Sequence, residues 1–325
     1  MKRLTFFSFY DPKNQIDTYV IHYLKELNYV SDIIFSADCE LSEFELEKIN
    51  PFILTSTCKS HGEYDFGSHK LSYLKAIELD ILKNYDWLIL ANDSCYGPFY
   101  KLDAVFHKME NKNIDFWGFT HNTIDSSPHI QSYFVSINKD AFKSDTFSNF
   151  ITSIKKEKIR RNIILKYEHG LTRILEEDNF SYDTYFIEKP NSFLHDPAKD
   201  WELMILRGFP FIKRTLFTRN TYNRKNLHKY KKVIHSIHPK YDLAMISDNL
   251  KKYKIIVKSH SLLSYISKLI FLPYLLIKIP LWHLKFKNKV ISFKEYRKIF
   301  FFCLEFDWNK TDIKNYISNL NEIMN

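Results

Sequence analysis

A chain of 325 residues and 39.1 kDa has room for one large α/β domain or two ordinary ones, so its core needs no disulfide or metal staple. Hydrophobic residues at 45% and charged residues at 26% exclude an intrinsically disordered chain and a polytopic membrane protein. The net charge of +9 is unevenly carried: residues 220–300 hold 18 Lys and Arg against 3 Asp and Glu, whereas residues 1–219 hold 27 against 31.

From the N-terminus, the run Leu4 to Phe9 reads as an apolar first strand that meets charge at Asp11, with no small-residue cleavage site of the kind a signal peptide carries. Val20, Ile21, Leu24 and Leu27 recur at helical spacing, and Ile33 to Ser36 is a second strand. Ser42 with Glu45 is a capping-box pair opening a short helix, and Pro51 leads into a strand over Phe52 to Thr55. Leu71, Leu74, Ile77 and Ile81 mark the apolar stripe of the next helix, Trp87 to Ala91 is a buried strand, and Leu102, Val105, Phe106 and Met109 form another helical stripe. Strands over Ile114 to Phe119 and Ile130 to Ile137, a long helix from about Asn162 to Glu177, and a strand over Tyr182 to Ile187 complete the series. This alternation predicts an α/β fold with a mostly parallel sheet flanked by helices, whose ligands gather at the carboxyl ends of the strands.

The cysteines Cys39, Cys58, Cys95 and Cys303 form no C-x-x-C pair and no zinc-finger spacing, and read as the reduced thiols of a cytoplasmic protein. The six glycines are far below the roughly 7% of average usage, so each is expected to have a backbone reason for its place. There is no G-x-x-x-x-G-K-[ST], no G-x-G-x-x-G and no G-x-S-x-G, and the thirteen histidines make no H-E-x-x-H. Asp65-Phe66-Gly67 stands too early, with no His-Arg-Asp or glycine loop ahead of it, to belong to a protein kinase.

Three features bear on chemistry. Asn92-Asp93-Ser94 directly follows the apolar strand Trp87 to Ala91, which points a carboxylate into the ligand crevice; the same residues also suit an Asx turn closing the strand. Glu63-Tyr64-Asp65-Phe66-Gly67-Ser68 precedes a helix, a place for phosphate or ribose contacts or simply a helix-opening turn with a hydrophobic anchor. In a 3.6-residue helix Glu168 shares its face with Ile164, Leu171, Thr172 and Leu175 and has no cation three or four residues away. It is then either a general base or a carboxylate held by a neighbouring loop.

Taken together, six ordered blocks resemble the rhamnan synthesis protein F family of bacterial glycosyltransferases. They are Glu63 to Ser68 with Lys70, Leu90 to Pro98, Asp115 to Gly118, His129 to Phe134, Tyr167 to Thr172, and Gly208 to Lys213, and they fall within residues 1–219. The resemblance implies a GT-A-like fold and transfer of a sugar, a rhamnose-like deoxyhexose first among them, from a nucleotide-sugar donor to a growing surface polysaccharide such as O-antigen, capsule or rhamnan. It implies Asp93 as ligand of Mg²⁺ or Mn²⁺ with His195 as a second ligand, and Glu168 as the base of an inverting displacement. It places Tyr10, Asp11, Tyr64, Asp65, Gly67, Lys70 and Asn92 around the nucleotide. Asn92 and Ser94 stand where an Asp-x-Asp motif has its outer positions, which leaves metal-independent transfer open.

Residues 220–325 are expected to form a basic, mostly helical region. Leu262 to Leu284 is too interrupted by Lys268, Lys278, Pro273 and Pro280 for a bilayer span of about 20 residues. Its lysines interleaved with apolar and aromatic residues, from Lys251 to Lys289, suit an anionic inner-membrane surface carrying a lipid-linked or polysaccharide acceptor, or else an ordinary solvated helical face. A nucleic-acid partner is not expected, because no RRM, KH or helix-turn-helix pattern accompanies the basic stretch and the crevice lies in the acidic part of the chain. The alternatives are the same fold with UDP-galactose or another hexose donor, and a catalytically degenerate scaffold of a polysaccharide-synthesis complex.

Overall fold

The computed structural model describes residues 1–122, 128–186, 197–220 and 224–257. The chain divides into two compact units: one made of Met1–Tyr222 and Lys231–Ile256, the other of Asn223–Tyr230 and Val257–Asn325. Residues 231–256 thus group with the first unit, beyond the division expected at 219. Of the second unit only a 3₁₀ segment, Lys225–Lys229, and its neighbours are described. His195, the apolar run Leu262 to Leu284 and most of the expected membrane lysines lie outside the described residues. Among the described residues no helix is long and apolar enough to cross a membrane.

The strands are β1 (Arg3–Phe9), β2 (Asp32–Ala37), β3 (Thr55–Cys58), β4 (Trp87–Asn92), β5 (Cys95–Tyr96), β6 (Phe116–Gly118), β7 (His121–Asn122), β8 (His129–Ile130), β9 (Phe134–Asn138), β10 (Tyr182–Thr184) and β11 (Ile212–Lys213). Between and after them come α1 (Thr18–Asn28), α2 (Glu43–Glu47), α3 (Tyr64–Glu78), α4 (Asp103–Glu110), α5 (Lys139–Phe142), α6 (Asp145–Thr152), α7 (Arg160–Ile163), α8 (His169–Glu177), α9 (Trp201–Leu206), α10 (Arg214–Thr218), α11 (Tyr230–Ile237) and α12 (Ala244–Lys252). Seven strands form one sheet in the order β10-β6-β9-β4-β1-β2-β3. All its pairings are parallel except those of β9, which runs antiparallel to both β4 and β6. The chain steps outward from β1 through β2 to β3, then returns to the other side of β1 as β4. The crevice at the carboxyl ends of β1 and β4 is therefore the topological switch point, where such sheets bind ligands.

Strand alternation sorts the core into two faces. Leu4 and Phe6 of β1 and Leu88 and Leu90 of β4 pack in one cluster with Phe66, Tyr73 and Ala76 of α3 and Phe147 and Ile151 of α6. The intervening side chains face α1: the Phe7 ring meets Tyr23 edge-on at 5.3 Å, and the Thr5 hydroxyl lies 2.7 Å from that of Ser31 just past the helix. Each such fully buried apolar side chain contributes about 1.5–3 kcal/mol.

Two expected elements differ from the sequence reading. The third strand lies at Thr55–Cys58 rather than at 52–55, because Pro51 is accommodated in a 3₁₀ turn, Asn50–Phe52, where its missing N–H is harmless. The strand expected over 130–137 is two, β8 and β9. Helix α3 forms where expected but buries the opposite side. Leu74 and Ile77 are 46% and 50% exposed, while Phe66, Ser68, His69, Ser72, Tyr73 and Ala76 are buried. The small residues let the helix approach the sheet, and the Ser72 and Ser36 hydroxyls bond across the contact at 2.7 Å. Of the capping box, Ser42 Oγ accepts from the Glu45 N–H, but the Glu45 carboxylate instead takes the Ile16 N–H at 2.6 Å and the Lys48 ammonium.

Burial holds the His69 imidazole down to about 3, so it stays neutral in the folded chain while the unfolded chain protonates near 6.5. Between those values the unfolded state binds one more proton, and stability falls as pH drops, by up to about 1.4 kcal/mol per pH unit from this group. His69→Gln is expected to remove that slope. In urea unfolding, the stability of the variant relative to wild type should then rise as pH falls from about 7 to about 4.

Candidate functional site

Alternation along β4 decides what happens at its end. Asn92 continues the Leu88–Leu90 side and meets α3, whereas Asp93, one residue on, turns to α1. Asn92 Nδ2 donates to Asp65 Oδ2 at 3.0 Å, and Ser8 Oγ at the end of β1 donates to Asp65 Oδ1 at 3.3 Å. The Asn92 carboxamide oxygen accepts from the Ser94 N–H at 3.1 Å and from its hydroxyl. The Asx turn and the crevice position read from the sequence thus coexist. Beside Asp65 stands Tyr64, half exposed and with φ +58, a conformation that costs a non-glycine residue about 1 kcal/mol or more. Tyr10, past the end of β1, is likewise half exposed.

On the α1 side, Asp93 is buried and its Oδ2 accepts from Tyr19 Oη at 3.0 Å and from Arg214 Nη1. Nη1 also donates to the Asp93 carbonyl at 3.0 Å, and the guanidinium carbon lies 5.0 Å from the centre of the Tyr19 ring. Burial pushes the Asp93 carboxyl up, with Arg214 and Tyr19 pulling against it. Arg214 is brought here by a second small ladder. β11 pairs antiparallel with β5, Ile212 opposite Tyr96 and Lys213 opposite Cys95, the Arg214 N–H donates to the Ser94 carbonyl at 2.9 Å, and that of Phe99 to Pro210 at 2.8 Å. Gly97, at φ +124, permits the approach: a Cβ there would lie 2.4 Å from the Pro210 carbonyl oxygen.

Asp11 is closed by its own surroundings. One oxygen accepts from the N–H groups of Lys13 and Gln15, the other from Lys252 Nζ at 3.0 Å and from the Tyr253 hydroxyl. Lys252 also reaches Asp17 at 3.0 Å, and Asn249 links Asp17 to the Tyr96 hydroxyl. Lys70 extends to the Ile154 carbonyl at 2.6 Å and to Glu63. Gly67 is a packing residue: a Cβ would sit 2.3 Å from that of Glu63 and 2.7 Å from the His61 ring. Of the expected nucleotide neighbours, Asp65 and Asn92 are in direct contact, Asp11 feels the charge of Asp93, the expected metal ligand, and Lys70 points along α3 toward the end of α6.

Glu168 lies on another element, in a π-helical turn, Ile164–Glu168, inserted between α7 and α8. Ile163, Tyr167, Leu171 and Leu175 are all buried, a strict spacing of four that an α-helix would carry off its face by about 40° per step. The π turn absorbs the surplus, and such turns recur at functional sites. Its side chain is 25% exposed, accepts from the Ser132 N–H at 3.4 Å and lies 4.0 Å from His129 Nε2. Next to Ser132, the Tyr133 ring has Lys213 Nζ 4.8 Å from its centre. Lys213 thereby joins the Glu168 side of the site to the Arg214–Asp93 side.

The donor set around Asp93 does not suit a divalent cation. One oxygen is shared by Tyr19 and a guanidinium, and a guanidinium in contact repels a second cation. Asn92 and Ser94 add no charge. Among the described residues no group of three or more His, Cys, Asp or Glu converges to hold a metal. Tyr19, Lys213, Arg214, Lys252 and Tyr253 are the site residues that sequence reasoning missed. Lys213 closes one of the six recognised blocks, and Arg214 is its next residue; Lys252 was visible only as one of many basic residues.

A mostly parallel α/β sheet with polar side chains at the β1/β4 switch point is the arrangement in which open α/β folds bind ligands. Residues 33–270 match the family described as rhamnan synthesis protein F, and the chain belongs to that family. It is 28% identical over 231 residues to the virulence protein VirA of Vibrio anguillarum, covering 61% of this chain and 70% of that one. Among solved structures it is similar to a cytidylyltransferase from Leptospira borgpetersenii serovar Hardjo-bovis, at 14% identity and a TM-score of 0.36 over 75% of this chain and 99% of that one. A glycosyltransferase involved in glycosylation of the major capsid of PBCV-1 gives 14% and 0.34 over 65% and 92%. Core-mannan synthase A from Aspergillus fumigatus, in its Mn/GDP form, gives 12% and 0.31 over 54% and 69%. The assignment stands on the family match.

Gly97→Ala is expected to force β5 and β11 apart and to destabilise the protein by about 1–3 kcal/mol in denaturant unfolding. Gly208→Ala meets no atom within 4 Å and, although also at positive φ, is expected to cost less.

Proposed function

We propose that this protein transfers a deoxyhexose of the rhamnose type from a nucleotide-sugar donor to a hydroxyl of a growing surface polysaccharide, with inversion at the anomeric carbon. The observation that carries the reading is the network Ser8–Asp65–Asn92 at the switch point of a sheet belonging to a member of this family. It offers hydroxyl, carboxylate and carboxamide groups for a ribose or sugar, with half-exposed Tyr10 and Tyr64 beside it as stacking surfaces for a base.

In the displacement, the acceptor oxygen forms a bond to C1 of the sugar while the C1–O bond to the β-phosphate breaks, its electron pair leaving on that oxygen. The acceptor's proton passes to the carboxylate of Glu168. The Ser132 N–H and His129 support Glu168 in that role by fixing its orientation. The acceptor is reached at the inner face of the cytoplasmic membrane. What supports this is composition: the +15 balance of residues 220–300, in which each basic residue near an anionic surface adds about 1 kcal/mol.

The test is a thermal-shift and transfer assay of the full chain with dTDP-rhamnose, UDP-galactose, UDP-glucose and GDP-mannose. A shift and product with dTDP-rhamnose are expected, the new linkage having inverted configuration by NMR. Response to a hexose donor alone would replace the deoxyhexose, and response to none would favour a scaffold. Glu168→Gln is expected to lower kcat about 10²- to 10⁴-fold with donor KM nearly unchanged.

A further inference from the structure

We propose that Lys213 and Arg214, not a divalent cation at Asp93, hold the diphosphate of the donor, with Asp93 the positioning residue that fixes Arg214. The inference rests on the nucleotide-sugar reading above and adds the groups that would neutralise the leaving diphosphate.

The ion pairs within the site lead to it. Asp11 and Asp17 share the ammonium of Lys252, and Asp93 is matched by Arg214. Lys213 belongs to neither pairing. It is half-buried over the Tyr133 ring, and among the described residues no carboxylate lies within ion-pair distance of it. A lysine kept partly out of water without a counter-charge is a poor arrangement for stability alone, and a good one for an incoming anion.

Arg214 is the second half of the site. Its side chain is 22% exposed, and Asp93 is served by Nη1 alone. A guanidinium carries five N–H donors in a planar fork, so one pinned by Asp93 and Tyr96 presents its remaining donors in a fixed direction. Lys213 and Arg214 are consecutive, and the β5/β11 ladder ties both to the loop that follows β4. Both charges lower the Cys95 thiol, which burial nonetheless holds up at about 11. Two cations at the carboxyl end of a central strand would bind the diphosphate and stabilise the charge that gathers on the β-phosphate oxygen as the C1–O bond breaks.

The experiment is isothermal titration of the full chain with dTDP and with UDP, each in EDTA and in Mn²⁺. Binding of one of them in EDTA, within about threefold of its affinity in Mn²⁺, is expected. Lys213→Gln should weaken it by about tenfold or more, and Lys213→Arg should restore most of that. Asp93→Asn, which keeps an acceptor for Arg214 and Tyr19, should retain more affinity than Asp93→Ala. Binding that requires Mn²⁺, or a Lys213→Gln protein that binds as wild type, overturns the inference and leaves the nucleotide-sugar reading intact. Failure of wild type to bind either nucleotide in either condition overturns both.

Discussion

The buried pair of Asp93 and Arg214 is the interaction on which the rest of the site depends. A carboxylate at the end of an apolar central strand cannot stay charged there without a partner, because removal from water costs several kcal/mol. The partner comes from 121 residues further along the chain. To deliver it, the segment ending at Lys213 must lie against the loop after β4, which the β5/β11 ladder and Gly97 accomplish. The conformation of two loops is thus fixed by one charge.

The same strand end serves two different purposes because alternation separates adjacent residues. Asn92 belongs to the α3 side and is tied into a neutral-and-acidic network with Ser8 and Asp65; Asp93 belongs to the α1 side and is tied to cations. A motif read as one acidic unit in the sequence is split by the sheet into a hydrogen-bonding half and an electrostatic half. Asn92 and Asp93 are each committed to different neighbours, which is the reason an Asp-x-Asp analogy transfers poorly to Asn92-Asp93-Ser94.

How much was legible follows from which signals are local. Apolar strands and the mostly parallel α/β alternation were readable because each buried strand is a short continuous run, and β1, β2 and β4 lie within a residue or two of where hydrophobicity puts them. The buried face of α3 was not, because hydrophobicity alone favours Leu71, Leu74 and Ile77, whereas the helix needs small residues, Ser68, Ser72 and Ala76, to come close to β1 and β2. Close approach is a property of volume, and a hydrophobic stripe does not encode it. The π turn left a trace, the spacing of four from Ile163 to Leu175, that departs from 3.6 and was read as an ordinary helix. Asp93 was legible as a crevice carboxylate; Arg214 was not legible as its partner, since a pairing of such sequence separation has no periodicity to betray it.

The charge asymmetry of the chain acquires a second meaning here. Among the acidic residues of 1–219, Asp11, Asp17, Asp38, Asp65 and Asp93 stand around the crevice, and self-repulsion among them would loosen it. Lys252 answers Asp11 and Asp17 together, and Arg214 answers Asp93, while Asp38 and Asp65 are stabilised by neutral donors, the His61 and Gly62 N–H groups and the Asn92 carboxamide. Part of the basic excess beyond residue 219 is therefore spoken for by the crevice itself rather than by any external surface. Within that setting Lys213 belongs to none of these ion pairs, which leaves its charge to an incoming phosphate.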